Sequence, residues 1–255
     1  MPSHIERILV FADTHFSSRD GINPAWEGFR KFAESFKPDR TIDLGDFASW
    51  GAISHYNKSK FRHLEGRRIR EELDFINHRL DEIENLSPQH VLLEGNHDRW
   101  LEEYVDEHPE VEGMLEYEHT LLAGRDVEYL TMDEQPYWHH GTAFLHGWFS
   151  GKTAPKRHLD IIDANLFHGH VHKLGSEFKV SMSRGILQAW SIPCLTDTRP
   201  KYNRGQPKDH MQGFMVLHVD PENHTISPYP IVVHDGYFMY GVNRYSQKEL
   251  IHELG

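Results

Sequence analysis

The chain has 255 residues, with 27 Lys and Arg against 39 Asp and Glu, a formal net charge of −12. At 38% hydrophobic and 26% charged residues it has the make-up of an ordinary globule, which excludes general disorder. The acidic balance speaks against a general binder of nucleic acid, and no apolar run reaches the ~18–20 residues of a membrane span.

Five apolar runs read as buried strands, at 8–11, 41–44, 90–93, 143–145 and 165–167. A helix lies between the first two. Asn23 is placed as its N-cap, and Pro24 suits its first position. Trp26, Phe29, Ala33 and Phe36 follow at helical spacing, and Pro38 stops the run. A longer helix separates the second and third strands. There Ile69, Leu73, Ile76, Leu80 and Ile83 make one apolar stripe, too short for a coiled coil and suited to packing on a sheet. This order predicts a parallel βαβαβ half over 1–118.

From 119 to 255 the pattern changes to short strands, at 127–132, 185–190, 213–219 and 225–233, with one helical segment around 155–162. This half reads as mixed or antiparallel sheet. The stretch 196–210 reads as a long surface loop, and the whole as one domain. Cys194 stands alone, so no intrachain disulfide forms. The start, MPSHIERILVFAD, lacks the pattern of a secretory signal. Both point to a reducing, cytoplasmic setting.

The chain carries 21 His, well above ordinary usage, and the informative ones follow the apolar runs. The first run leads to Asp13-Thr14-His15 and the second to Gly45-Asp46. The third leads to Gly95-Asn96-His97-Asp98, the fourth to His146-Gly147, and the fifth to His168-Gly169-His170-Val171-His172. Ligands of α/β sheets gather beyond the carboxyl ends of the strands. Two carboxylates, one carboxamide and several imidazoles are therefore expected at one place, a donor set for divalent cations. Asp13 and His15 are two residues apart, as are His170 and His172, and in extended chain each pair points to one side. Asp46 is placed as a bridge through its two oxygens. Two metals about 3.5–4 Å apart are a device for in-line displacement at phosphorus.

This ordered set of D-x-H, GD, GNHD, H-G and GHxH resembles the calcineurin-like metallophosphoesterases, and it spans Asp13 to His172. The resemblance implies a four-layer αββα sandwich, with two mixed β-sheets face to face. It implies that Asp13, His15 and His172 hold one metal and that Asn96, His146 and His170 hold the other, with Asp46 shared. Two divalent ions are implied, Mn²⁺ first and Fe, Zn or Ni as substitutes. A bridging hydroxide would be the nucleophile. His97 would protonate the leaving oxygen, and Asp98 would orient His97 and keep it cationic. The run after Asp46, Phe47-Ala48-Ser49-Trp50, departs from the protein-phosphatase branch. GNHD is nearer the phosphodiesterase and nuclease branches.

The expected activity is thus metal-dependent hydrolysis of a phosphate ester, a phosphodiester before a monoester, and one version acts on a small diester such as a cyclic nucleotide or nucleotide-lipid. The alternatives are a DNA exo- or endonuclease, a phosphomonoesterase, and a non-catalytic binding protein on the same fold. The nuclease reading rests on Lys58, Lys60, Arg62, Arg67, Arg68 and Arg70, and on Arg199, Lys201, Arg204 and Lys208 of the 196–210 loop. Against it, 101–118 carries eight acids and no Lys or Arg. His139, His140 and His168 are candidates to orient ligand imidazoles, and His55 is a candidate for substrate contact.

Overall fold

The computed structural model describes residues 4–19, 23–54, 57–198 and 209–246, the side chain of His63 apart. His55, Arg199, Lys201, Arg204 and Lys208 lie outside the described residues, as does most of the 196–210 loop.

The first sheet has six strands in the order β11-β10-β1-β2-β3-β4. Strands β1 (Glu6–Phe11), β2 (Arg40–Asp43), β3 (His90–Leu93) and β4 (Glu128–Leu130) run parallel. Strands β10 (Gln212–Asp220) and β11 (Thr225–Val233) add an antiparallel hairpin beside β1. The second sheet has the order β5-β6-β7-β9-β8. In it β6 (Thr142–Leu145), β7 (Asn165–His168) and β9 (Gly185–Ser191) are parallel, while β5 (Tyr137–His139) and β8 (Gly175–Ser181) run against them at the edges.

Alternation along β1 explains the layers. Ile8 and Val10 point to an apolar layer that also holds Val91, Phe144, Phe167 and Met215, drawn from both sheets. Leu9 and Phe11 point the other way, into a cluster with Trp26, Phe29 and Phe32 of α1 (Pro24–Phe36) and Ile76, Leu80 and Ile83 of α3 (Ile69–Glu84). On the far side, Leu159 of α5 (Ala154–Ile162) packs on Leu145, Leu166 and Ala189. The result is a four-layer αββα sandwich. Asn23 caps α1 by accepting from Ala25 N at 2.9 Å. The α3 stripe is spent on the sheet, as its short length predicted.

Four described strands and two short helices were not legible. Strands β5, β8, β12 (Tyr237–Tyr240) and β13 (Asn243–Ser246) are edge or two-stranded elements. Helix α2 (Phe61–Leu64) is a single turn, and α4 (Trp100–Glu107) starts directly after the GNHD motif.

Two buried histidines, His90 and His158, make the fold sensitive to acid. His90 touches Thr41 Oγ1, and burial pushes its pKa down to about 3. His158 accepts from Trp148 N at 2.9 Å, and burial pushes it down to about 4. Each is neutral in the fold and takes up a proton near pH 6.5 once unfolded. Below that pH the unfolded chain binds protons that the fold refuses, so stability falls as pH drops. With chelator present, unfolding free energies at about pH 7 and about pH 5 are expected to differ by on the order of 1–2 kcal/mol for each histidine. His90→Gln should shrink that difference; an unchanged one would remove His90 from the account.

Candidate metal centre

Parallel strands present their carboxyl ends on one edge, and here both sheets do so at the same end of the sandwich. Asp13 follows β1, Asp46 follows β2, and Asn96 and His97 follow β3. His146 follows β6, and His170 and His172 follow β7. Backbone bonds lace the first two ends together: Asp13 N donates to Gly45 O at 3.0 Å and His15 N to Asp46 O at 2.9 Å.

Three overlapping groups of donor atoms result, each with its atoms within 4.8 Å of one another. They are Asp13 with His15 and His172, Asp46 with His146 and His170, and His15 with Asp46 and His97. His15 Nε2 and His172 Nε2 lie 3.2 Å apart, and His172 Nε2 lies 3.4 Å from Asp13 Oδ1. In the second group His146 Nε2 is 3.1 Å from Asn96 Oδ1.

Asp46 joins the groups through one oxygen rather than two. Its Oδ1 accepts from His97 N at 2.7 Å. Its Oδ2 faces His15 Nε2 at 3.7 Å and His146 Nε2 at 3.5 Å. The backbone bond therefore leaves Oδ2 as the atom shared by both groups.

The donors are not presented by extended chain, as the two-residue spacings had suggested. Asp13, His15, Asp46, His170 and His172 all have positive φ, between 47° and 69°. Such non-glycine backbone costs about 1–3 kcal/mol per residue and concentrates where function demands it. Glycines make room for the crossing loops. A Cβ on Gly95 would stand 2.1 Å from Asp46 N and 2.3 Å from Asp46 Oδ1, so Gly95 is required for the close approach of the GD and GNHD turns.

The residues fit a pair of divalent ions on several grounds. Asp13 Oδ1 is buried and makes no well-formed hydrogen bond, with the imidazole of His172 3.4 Å away. His146 Nδ1 donates to Leu44 O at 2.8 Å, which leaves Nε2 free to ligate. Two Nε2 atoms meeting at 3.2 Å must share either a proton or a cation. Charge tells the same story. Burial opposes ionisation of Asp13 and Asp46, yet the imidazoles of His172 and His146 hold both below the usual carboxylate range. In turn burial lowers His146 and His172, but Asp46 holds the first up to about 9 and Asp13 the second up to about 11. These carboxylates require positive charge beside them. Carboxylate, imidazole and amide oxygen together suit Mn, Fe, Zn and Ni.

No family model and no curated protein matches the chain. Solved structures do. The chain is similar to wild-type Vps29 of Entamoeba histolytica complexed with Zn²⁺, at 13% identity and a TM-score of 0.49, over 94% of this chain and 98% of that one. It is similar to Chaetomium thermophilum Vps29 at 14% identity and a TM-score of 0.46, over 94% and 96%. It is similar to Yfce, a phosphoesterase from E. coli, at 13% identity and a TM-score of 0.39, over 88% and 98%. Likenesses so distant assign no reaction, and the chemistry rests on the donor set.

Around the donors, some expectations are replaced. Asp98 does not touch His97. Its Oδ2 accepts from Gly95 N at 2.9 Å and Phe47 N at 3.2 Å, and its Oδ1 from Ala48 N at 3.0 Å and the Tyr117 hydroxyl at 3.4 Å. It is a clamp between two loops, and no imidazole was needed to satisfy it. Burial and the charge of Asp46 push its pKa up to about 7. His97, without such a partner, has its pKa lowered by burial. The ring of Trp100 packs on it, with centroids 3.9 Å apart. Nor do His139 and His140 orient any ligand: they sit beside Glu6, at the opposite end of β1. His168 packs on His158 with centroids 4.3 Å apart and bonds Gly169 O.

Three contributors were missed. Gln135 accepts from His146 N and donates to Glu94 O, both at 2.7 Å, tying the fourth strand end to the third. Asp43 accepts from Gly45 N at 2.9 Å and is fully buried. His210 lies 4.5 Å from His172, ring to ring. Of the three, Asp43 carried a signal, standing at the end of β2, two residues before Gly45 of the GD turn.

Proposed function

We propose that the chain is a binuclear-metal phosphoesterase acting on phosphodiesters. The observation that carries this reading is the meeting of two donor groups on Asp46 Oδ2, with His97 at their junction. Asp13, His15 and His172 would hold one ion, and Asn96, His146 and His170 the other, with Asp46 common to both. When bound, the ions supply Lewis acidity toward the phosphoryl oxygens and an activated water. His97 then gives its proton to the leaving oxygen. Burial lowers its pKa while the charge of Asp46 favours the protonated form, the ring of Trp100 packs on it, and the bond to Asp46 fixes its backbone. The GNHD pattern supports a diester over a monoester.

A second reading, a nuclease, is favoured by an open depression of about 580 Å³ lined by Phe61, Arg62, Leu64, Glu65, Gly66 and Arg68. Phe61 is exposed there and offers a face on which a base could stack. Of the basic segment, Arg67 is drawn into an ion pair with Glu72 at 3.1 Å, and Lys58 pairs with Glu107 at 2.5 Å. Arg62, Arg68 and Arg70 are exposed.

Hydrolysis of bis(p-nitrophenyl) phosphate, p-nitrophenyl phosphate and single- and double-stranded DNA should be compared with Mn²⁺ and after chelation. The diester is expected to be cleaved fastest, and chelation to abolish the rate. A rate untouched by chelation would overturn the metal mechanism. Metal retained without hydrolysis of any substrate would favour a binding protein on this fold.

A further inference from the structure

A second cluster of ligating side chains stands outside the centre just described. Glu6 opens β1 in the first sheet, while His139 ends β5 and His140 begins the turn to β6 in the second. Their donor atoms all lie within 4.8 Å of one another. Glu6 Oε2 is 2.8 Å from His139 Nε2 and 3.3 Å from His140 Nε2. Glu6 and Asp13 are seven residues apart, so at the rise of a strand this cluster is roughly 20 Å from the first.

We propose that Glu6, His139 and His140 form a separate site for a divalent transition cation of the Zn²⁺ type, which pins the two sheets together at the far end of the sandwich. This site is separate from the first centre and does not depend on it.

The chemistry of the cluster supports a cation over a simple ion pair. Two imidazoles and one carboxylate are a Zn²⁺ donor set that leaves a fourth position for water. Ligands at about 2.0–2.1 Å in a tetrahedron stand ~3.3 Å from one another, the spacing of His140 from Glu6, whereas His139 closes on Glu6 in a direct hydrogen bond at 2.8 Å that a cation would open. The carboxylate is also aimed. Arg40 Nε holds Glu6 Oε1 at 3.2 Å, and Arg40 is itself fixed by Tyr137 Oη at 3.1 Å and by Gln89. Oε2 is thereby turned to both imidazoles, the support by neighbouring bonds that ligating carboxylates receive. One ion pair would need one imidazole; here a second converges on the same oxygen.

His140 has φ +46° and precedes Gly141 at φ +72° in the tight turn from β5 to β6, a conformation that histidine, like Asn and Asp, adopts more readily than most side chains. A third imidazole, His224 of the β10–β11 turn, also has positive φ, and its ring lies 5.8 Å from that of His140. The side chains of Glu6, His139 and His140 are 16%, 15% and 23% exposed, sheltered yet open to ions.

Crystals of the full chain equilibrated with Zn²⁺ would test this by anomalous diffraction at the zinc edge. A peak about 2.0–2.2 Å from Glu6 Oε2, His139 Nε2 and His140 Nε2 is expected. Zinc at the first centre with none here would overturn the proposal, whereas zinc here with none there would overturn the other reading alone. In solution, equilibrium dialysis should show His140→Asn, which suits the turn, and Glu6→Gln each binding one equivalent fewer than wild type at a Zn²⁺ level that fills the native site. Equal zinc content in wild type and both variants would overturn it as well.

Discussion

On the proposed reading, His97→Ala is expected to lower diester hydrolysis by ~10²–10⁴-fold with the metal content of the native protein retained, the usual scale for loss of a general acid. The imidazole lies at the junction of the two donor groups, its ring 4.5 Å from that of His15. It is not needed to complete either group, since Asp13, His15 and His172 stand together without it, as do Asp46, His146 and His170. Its removal therefore takes away a proton and leaves the cation donors. The size of the loss should follow the leaving group. An alkoxide such as a sugar hydroxyl needs the proton, so the loss is greatest there; p-nitrophenolate leaves with little help, so the loss is smaller. An equal loss for both leaving groups, accompanied by loss of metal, would instead make His97 a ligand of the Asp46 and His15 group.

Asp98→Asn is expected to destabilise the protein by on the order of 1–3 kcal/mol, because its NH₂ replaces one carboxylate oxygen and leaves at least one of three buried backbone N–H groups without its acceptor. An amide turns an NH₂ toward those donors, where a carboxyl presents oxygen on both sides. Against a total stability of ~5–15 kcal/mol this is a large fraction. The three N–H groups belong to Gly95, Phe47 and Ala48, so the GD and GNHD loops separate and Asp46 loses its place between them. Urea unfolding measures the stability, and hydrolysis by the fraction still folded measures the site. Had Asp98 served to hold His97 cationic, the variant would keep its stability and shift the alkaline limb of the rate profile, where a general acid loses its proton. Unfolding unchanged with a shifted limb would overturn the clamp.

These two neighbours show what motif reading can and cannot reach. Adjacent residues of one tetrapeptide, His97 and Asp98, were expected to act as a pair. The chain turns between them, and Asp98 faces inward to the loops while His97 faces the donors. The same turn brings Trp100 onto the His97 ring, a contact that the three-residue spacing at the start of a helix permits but does not demand.

Much of the rest was legible because it is local. Apolar runs mark strands wherever both faces are buried, and β1, β2, β3, β6 and β7 are the central strands that meet this condition. Asn23 and Pro24 mark a helix start through bonds made within three residues. The edge strands β5 and β8 lacked such a mark. Along β8 the residues are alternately exposed and half-buried, and in GSEFKVS the apolar side chains Phe178 and Val180 lie on the exposed face.

What sequence alone determined, then, is the set of donor residues and their order at the ends of buried strands, since strand, turn and helix signals depend on near neighbours. Tertiary structure decided how the donors meet. Positive φ at Asp13, His15, Asp46, His170 and His172, the single free oxygen of Asp46, the clamp at Asp98 and the support of His146 by Gln135 all depend on loops from distant strands touching. The Glu6 cluster lies wholly on that side. Its partners are separated by 133 residues in the chain, and no short-range pattern encodes a contact made only when two sheets close on one another.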